Sequence, residues 1–155
     1  MNVYLQVGEG RFVLFIHSHA VQKKVDMAIR VLLADDHKLI RESLSRFLQT
    51  QDDVEVVGEA KDGRTALELT EQLQPDIVIM DVSMPPVLSG LEATEWICSQ
   101  WPNVKVIALS MHKHKQYVAE MLKAGARGYM LKDAGYDELL AAIHTVAQGG
   151  IYLSP

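Results

Sequence analysis

Pro75-Asp76-Ile77-Val78-Ile79-Met80-Asp81-Val82-Ser83-Met84-Pro85 is the stretch on which the fold turns. Residues 77–80 are apolar without a break, so no face of this run is meant for water. A run this short and this apolar suits a strand buried on both faces of a parallel sheet. Pro75 stops the helical pattern before it. Asp81 closes the run and leaves a carboxylate at the strand's carboxyl end.

The same alternation extends outward in both directions. Residues 28–33 read as a first strand, and Leu39, Ile40, Leu44, Phe47 and Leu48 then recur at helical spacing. Residues 54–59 read as a second strand. Asp62-Gly63 opens a helix whose apolar positions are Ala66, Leu67, Leu69 and Leu73. Beyond the quoted stretch, Ser89 and Glu92 stand at capping-box spacing, and Trp101-Pro102-Asn103 ends the helix they begin. Residues 104–109 form a fourth strand. Tyr117, Val118, Met121 and Leu122 mark a fourth helix closed by Gly125. Residues 128–131 form a fifth strand. Leu139, Leu140, Ile143, Val146 and Ala147 form the stripe of a last helix, ended by Gly149-Gly150. Five strands alternating with five helices predict an α/β domain over residues 28–150, with helices on both faces of a parallel sheet.

Residues 1–27 stand outside this repeat. Residues 3–7 and 11–16 flank Gly8-Glu9-Gly10, a hairpin signal with a three-residue loop. Two strands alone are marginal in water. The segment reads as an accessory arm or as a self-association element.

Composition bounds the function. The chain has 155 residues, enough for one domain, and a formal net charge of −5, which argues against a basic nucleic-acid-binding surface. The single cysteine, Cys98, can form no internal disulfide and fits a reducing, cytoplasmic setting as a packed helical residue. No apolar run reaches the roughly 18–20 residues that span a bilayer, so no membrane role is expected. The N-terminus lacks the basic-then-apolar order of a signal peptide.

Ligands of open α/β sheets bind beyond the carboxyl ends of the strands. Four of the five strand ends deliver polar groups there: Asp35-Asp36, Asp81, Ser110 and Lys132. Three clustered carboxylates repel one another, and a hard divalent cation relieves that repulsion. Mg²⁺ is the natural choice, because it takes oxygen ligands and keeps waters that a phosphoryl oxygen can replace. A carboxylate can itself accept a phosphoryl group. Lys132 can then neutralise charge, and the Ser110 hydroxyl can donate to a phosphoryl oxygen. Each residue alone has a plainer reading. Asp35-Asp36 could cap a helix, Asp81 could serve a turn, Ser110 could bond its own backbone and Lys132 could be a solvated lysine. Their convergence from four strand ends is what favours a site.

These residues resemble the receiver domains of bacterial two-component response regulators. The resemblance covers roughly residues 28–150. It is carried by Val31-Leu-Leu-Ala-Asp-Asp-His37, by the quoted stretch, by Val106-Ile-Ala-Leu-Ser110 and by Gly125-Ala-Arg-Gly-Tyr-Met-Leu-Lys-Asp133. The stretch Gly128-Tyr-Met-Leu-Lys-Asp133 and the ending Gly150-Ile-Tyr-Leu-Ser-Pro155 are similar to the NarL/FixJ/LuxR-type subfamily. There a linker and a helix-turn-helix domain follow, so residues 151–155 are expected to begin a linker to an output domain beyond this chain.

The resemblance implies a doubly wound five-stranded sheet of order 2-1-3-4-5, the flavodoxin-like receiver fold. It implies that Asp81 accepts a phosphoryl group from a sensor histidine kinase. Asp36, Asp81 and the Ser83 carbonyl would bind Mg²⁺ directly and Asp35 through water. Lys132 would pair with the phosphoryl group. Ser110 and Tyr129 would be switch residues, Tyr129 turning inward on activation. Ser83 and His112 would tune dephosphorylation, and neither is acidic or amide-bearing. His112 also reads as a surface histidine. The chain would be a switch rather than an enzyme, able at most to dephosphorylate itself slowly. It could form a phospho-dependent homodimer and reach DNA only through a further domain. The loop from Met84 to Gly90 carries one residue more than the family usually has, with Pro86 as the candidate insertion.

Three rivals remain at this stage. A hydrolase with an aspartate nucleophile would want a second aspartate where Ser83 stands. A flavodoxin-like cofactor binder would want a phosphate-cradling loop where Asp35-Asp36 stands. A degenerate receiver would act as a protein-interaction module without phosphorylation.

Overall fold

The computed structural model describes residues 2–8, 11–17, 28–85 and 88–155. The first two segments form a separate two-stranded antiparallel sheet, β1 (Asn2–Gly8) and β2 (Arg11–His17). Gly8, expected in the hairpin loop, instead pairs with Arg11 at the end of the ladder. The expected arm also included residues 18–27, which lie outside the described residues, as does Pro86.

The α/β repeat then runs β3 (Ile29–Ala34), α1 (Lys38–Gln49), β4 (Val54–Ala60), α2 (Gly63–Leu73) and β5 (Ile77–Asp81). It continues through α3 (Gly90–Gln100), β6 (Lys105–Ser110), α4 (Lys115–Lys123), β7 (Gly128–Leu131), α5 (Tyr136–Ala147) and β8 (Tyr152–Leu153). The sheet is parallel in the order β4-β3-β5-β6-β7-β8. The first five positions are the expected 2-1-3-4-5. The sixth strand was not expected. Its two residues pair with Gly128 and Tyr129 of β7, too short a stretch to show any period in the sequence.

The apolar run of β5 explains itself in this frame. Val78 and Met80 join the core layer under α2, α3 and α4, while Ile77 and Ile79 join the layer under α1 and α5. All five residues of β5 are buried. Switching the buried face at every residue leaves no position for a polar side chain until Asp81.

Local chemistry sets the helix ends. Asp62 accepts a hydrogen bond from the Thr65 amide and caps α2. Ser89 and Glu92 form the expected capping box at α3. Gly125 sits at φ +105° after α4, a conformation that favours glycine. Leu39, counted in the apolar stripe of α1, is 81% exposed, because the helix turns that position away from the sheet.

Gly90 ties α3 to the end of β5. A Cβ on Gly90 would lie 1.9 Å from the Asp81 carbonyl oxygen and 2.8 Å from its carbon. Both are backbone atoms and cannot step aside as a flexible side chain would. Gly90→Ala is therefore expected to destabilise the fold by about 1–3 kcal/mol, the usual range for overpacking. Urea unfolding checks this, and an unchanged midpoint would refute the tight contact.

Candidate functional site

The carboxyl ends of β3, β5, β6 and β7 bring the expected residues to one edge. Asp35 follows β3, and its amide bonds the Ala60 carbonyl at 3.1 Å, which fixes the turn. Its side chain is buried. Asp35 Oδ1 accepts from the His37 amide at 2.7 Å, and Oδ2 lies 2.8 Å from Lys132 Nζ. Asp36 points into solvent beside it. Asp81, 1% exposed, accepts from the Ser83 amide through Oδ1 at 3.0 Å, and its Oδ2 lies 3.0 Å from the same Lys132 Nζ. Neither Oδ2 receives a well-angled hydrogen bond, although both are within ion-pair distance of the ammonium.

Lys132 is placed by its own backbone, whose amide bonds the Ser110 carbonyl at 2.8 Å. Its aliphatic stem is buried and its ammonium bridges two carboxylates. Burial pushes the Asp81 carboxyl above the ordinary range, and the Asp35 charge adds to this. The Ser83 amide and Lys132 oppose it without cancelling it. Burial alone would lower the Lys132 pKa, but the two carboxylates outweigh it and raise it. One ammonium thus pairs with two carboxylates, Asp36 stands beside them, and negative charge remains in excess.

That excess, and oxygen donors of the kind a hard ion takes, fit Mg²⁺ at this edge. Asp35, Asp36, His37 and Asp81 each offer a ligand atom, and these atoms lie within 4.8 Å of one another. The structure brings together Asp35, Asp36, Asp81 and Lys132. Asp35, given an indirect role by the resemblance, is the carboxylate Lys132 approaches most closely. Ser83 is exposed and touches the site through its amide.

Ser110 is fully buried at the end of β6, and its Oγ accepts from the His112 amide at 3.0 Å. The Tyr129 hydroxyl donates to the His112 carbonyl at 2.7 Å. Tyr129 is 2% exposed, so the ring already lies inward rather than waiting outside, and burial raises its pKa. One backbone unit, His112, therefore joins Ser110 and Tyr129. Its ring stacks on Tyr117 of α4, with centroids 4.6 Å apart, so it is half-buried rather than a free surface histidine.

Two residues of the site were not singled out from the sequence. His37 completes an Asp-Asp-His triplet, and its Nδ1 lies 3.0 Å from Asp36 Oδ1 and 3.2 Å from Asp35 Oδ1. Arg41 stands one helical turn beyond His37. It donates to the Asp35 carbonyl at 2.6 Å and to Glu59 at 3.2 Å, bracing the acidic loop against β4. The triplet and the four-residue spacing are the signals that could have found them.

A parallel sheet with acidic groups, a hydroxyl and a lysine at one edge is an α/β domain with a charged site at the carboxyl ends of its strands. Residues 31–144 match the response regulator receiver domain, and the chain belongs to that family. It is the receiver domain of a response regulator of the NarL/FixJ/LuxR type. It is 44% identical over 127 residues to the transcriptional regulatory protein DegU of Brevibacillus brevis, covering 82% of this chain and 53% of the relative. It is 42% identical to the oxygen regulatory protein NreC of Staphylococcus carnosus, covering 82% and 58%. The chain thus spans little more than half the length of these curated relatives. Among solved structures, a LuxR-family two-component response regulator from an Aurantimonas species superposes with TM-score 0.78 at 33% identity, over 83% of this chain and 91% of that one. The response regulator domain of Thermotoga maritima CheB superposes with TM-score 0.72 at 33% identity, over 78% and 97%. Among the described residues no helix is long and apolar enough to cross a membrane.

Proposed function

We propose that Asp81 accepts a phosphoryl group from the phosphohistidine of a sensor kinase in the cytoplasm, and that Asp36, Asp81 and the Ser83 carbonyl would hold Mg²⁺ directly, with Asp35 acting through water. The observation that carries this reading is the buried Asp81 carboxylate with Lys132 Nζ at 3.0 Å. Bound Mg²⁺ would supply charge neutralisation for the transferring oxygens. Asp81 is the nucleophile. Lys132 holds a fixed positive charge next to the oxygens that arrive, and Ser110 turns its hydroxyl toward them. Rotating Ser110 Oγ away releases the His112 amide. Because Tyr129 holds the carbonyl of the same residue, the β6–α4 loop resets with it. The new group brings roughly −1.5 to −2 charges, enough to bias a pre-existing two-state equilibrium.

A groove of about 370 Å³ begins at Lys132 and runs between α1 and α5 past Leu39, Ser43 and Tyr136. A kinase seated there would present its phosphohistidine to Asp81. Ser83 and His112 set the lifetime of the phosphorylated form, with no acidic or amide side chain to place an attacking water. Self-dephosphorylation is then slow, and the domain acts as a switch, not a turnover enzyme. Output is transcription control through a helix-turn-helix domain of the whole protein, aided by phospho-dependent pairing of receivers.

Incubation with acetyl phosphate and Mg²⁺ is expected to add one phosphoryl group by intact-mass measurement. A preparation that stays unmodified, with far-ultraviolet circular dichroism showing it folded, would overturn the reading.

A further inference from the structure

We propose that His37 is an additional ligand of the divalent-cation site, and that it makes the site favour imidazole-binding first-row ions such as Co²⁺ over Mg²⁺. The inference rests on reading Asp35, Asp36 and Asp81 as the cation site. His37 lies on the same loop and its Nδ1 is already within 3.0 and 3.2 Å of two of those carboxylates.

The geometry closes on one ion. Bonds of about 2.1 Å put trans ligands about 4.2 Å apart. The four ligand atoms lie within 4.8 Å of one another, so a small side-chain adjustment suffices. The residues able to adjust are the right ones. The His37 side chain is 63% exposed and Asp36 30%, whereas Asp35 and Asp81 are fixed in the core. The buried carboxylates of Asp35 and Asp81, held by Lys132 at 2.8 and 3.0 Å, form the rigid floor. The His37 amide bond to Asp35 Oδ1 fixes the backbone from which the imidazole projects, and the ring Nδ1 lies 3.2 Å from the same oxygen.

The chemistry supplies the selectivity. Mg²⁺ takes oxygen and dehydrates reluctantly, so an imidazole adds little to it. Imidazole suits the later first-row ions, whose affinity for mixed nitrogen and oxygen sites rises along the series to copper. A site of carboxylates alone would show a smaller preference. His37 therefore separates the ions by strengthening one group and leaving the other unchanged.

The test titrates the full chain and its His37→Ala variant with Co²⁺ and with Mg²⁺ by calorimetry, and records pulsed electron paramagnetic resonance of bound Mn²⁺. His37→Ala is expected to weaken Co²⁺ at least about tenfold, a loss that lesser outer-shell changes already reach. Mg²⁺ affinity should not fall. The nitrogen coupling on Mn²⁺ should be present in the parent and lost in the variant. Equal Co²⁺ affinity in the two proteins, or no nitrogen coupling in the parent, overturns the role of His37 while leaving the carboxylate site standing. A parent that binds none of the three ions overturns the cation site and this inference together.

Discussion

Asp81→Asn is expected to take up no phosphoryl group from acetyl phosphate and, with divalent ions removed, to be more stable than the parent. The loss follows from chemistry, since an amide has no carboxylate oxygen to attack phosphorus. The gain follows from burial. The Asp81 carboxyl titrates above its ordinary 3.8 in the folded protein, burial being the main cause. An acid whose folded pKa is raised binds its proton more tightly folded than unfolded. Stability therefore falls as the pH rises from the unfolded value through the folded one, and the full penalty stands above the folded one. The asparagine amide carries no such charge, so this part of the pH dependence should vanish in the variant. Intact mass reads the first effect, and urea midpoints measured as the pH is raised from the ordinary carboxyl value through neutrality read the second. Labelling that survives would place the acceptor elsewhere. A variant less stable than the parent at neutral pH would contradict the assigned burial penalty.

Lys132→Met should have the opposite sign. Its ammonium is the shared partner of Asp35 and Asp81, and removing one member of a buried ion pair typically destabilises by about 3–5 kcal/mol. Met matches the stem that packs in the core but leaves two buried carboxylates facing each other. The phosphorylation rate should fall sharply as well, because the charge next to the arriving oxygens is gone. Combining Lys132→Met with Asp81→Asn should recover part of the lost stability, a coupling that two independent sites would not show. Additive effects in the double variant would mean that the bridge contributes nothing. In the parent, the Lys132 contribution should be complete below about pH 10.5 and lost as the pH rises through its raised folded value.

The charged edge was readable because each member closes or follows a strand. Asp81 and Ser110 are the last residues of β5 and β6, and Lys132 follows β7 directly. Strand ends are marked by the change from apolar to polar, which periodicity detects well. What escaped had another cause. Leu39 fits helical spacing, yet lies at the rim of α1, where period alone does not say how wide the buried stripe is. β8 is held by pairing to β7, which is remote in the chain, and no local pattern announces it. His37 and Arg41 act on Asp35 through a loop turn, one by its amide and ring and the other through the Asp35 carbonyl, and these depend on coordinates rather than residue type. The inward position of Tyr129 likewise depends on packing and on its bond to the His112 carbonyl, neither of which residue type announces.

The short strand β8 has a mechanical consequence. The Tyr129 carbonyl accepts from the Ser154 amide at 2.9 Å, and the Leu131 amide donates to the Ser154 hydroxyl. The tail is thus laced along the strand that holds Tyr129 and leads straight into Lys132. Residues 152–154 are moored to the strand beside the site instead of trailing from an inert corner. Any displacement of β7 would carry that mooring with it, because the tail shares the strand's hydrogen bonds.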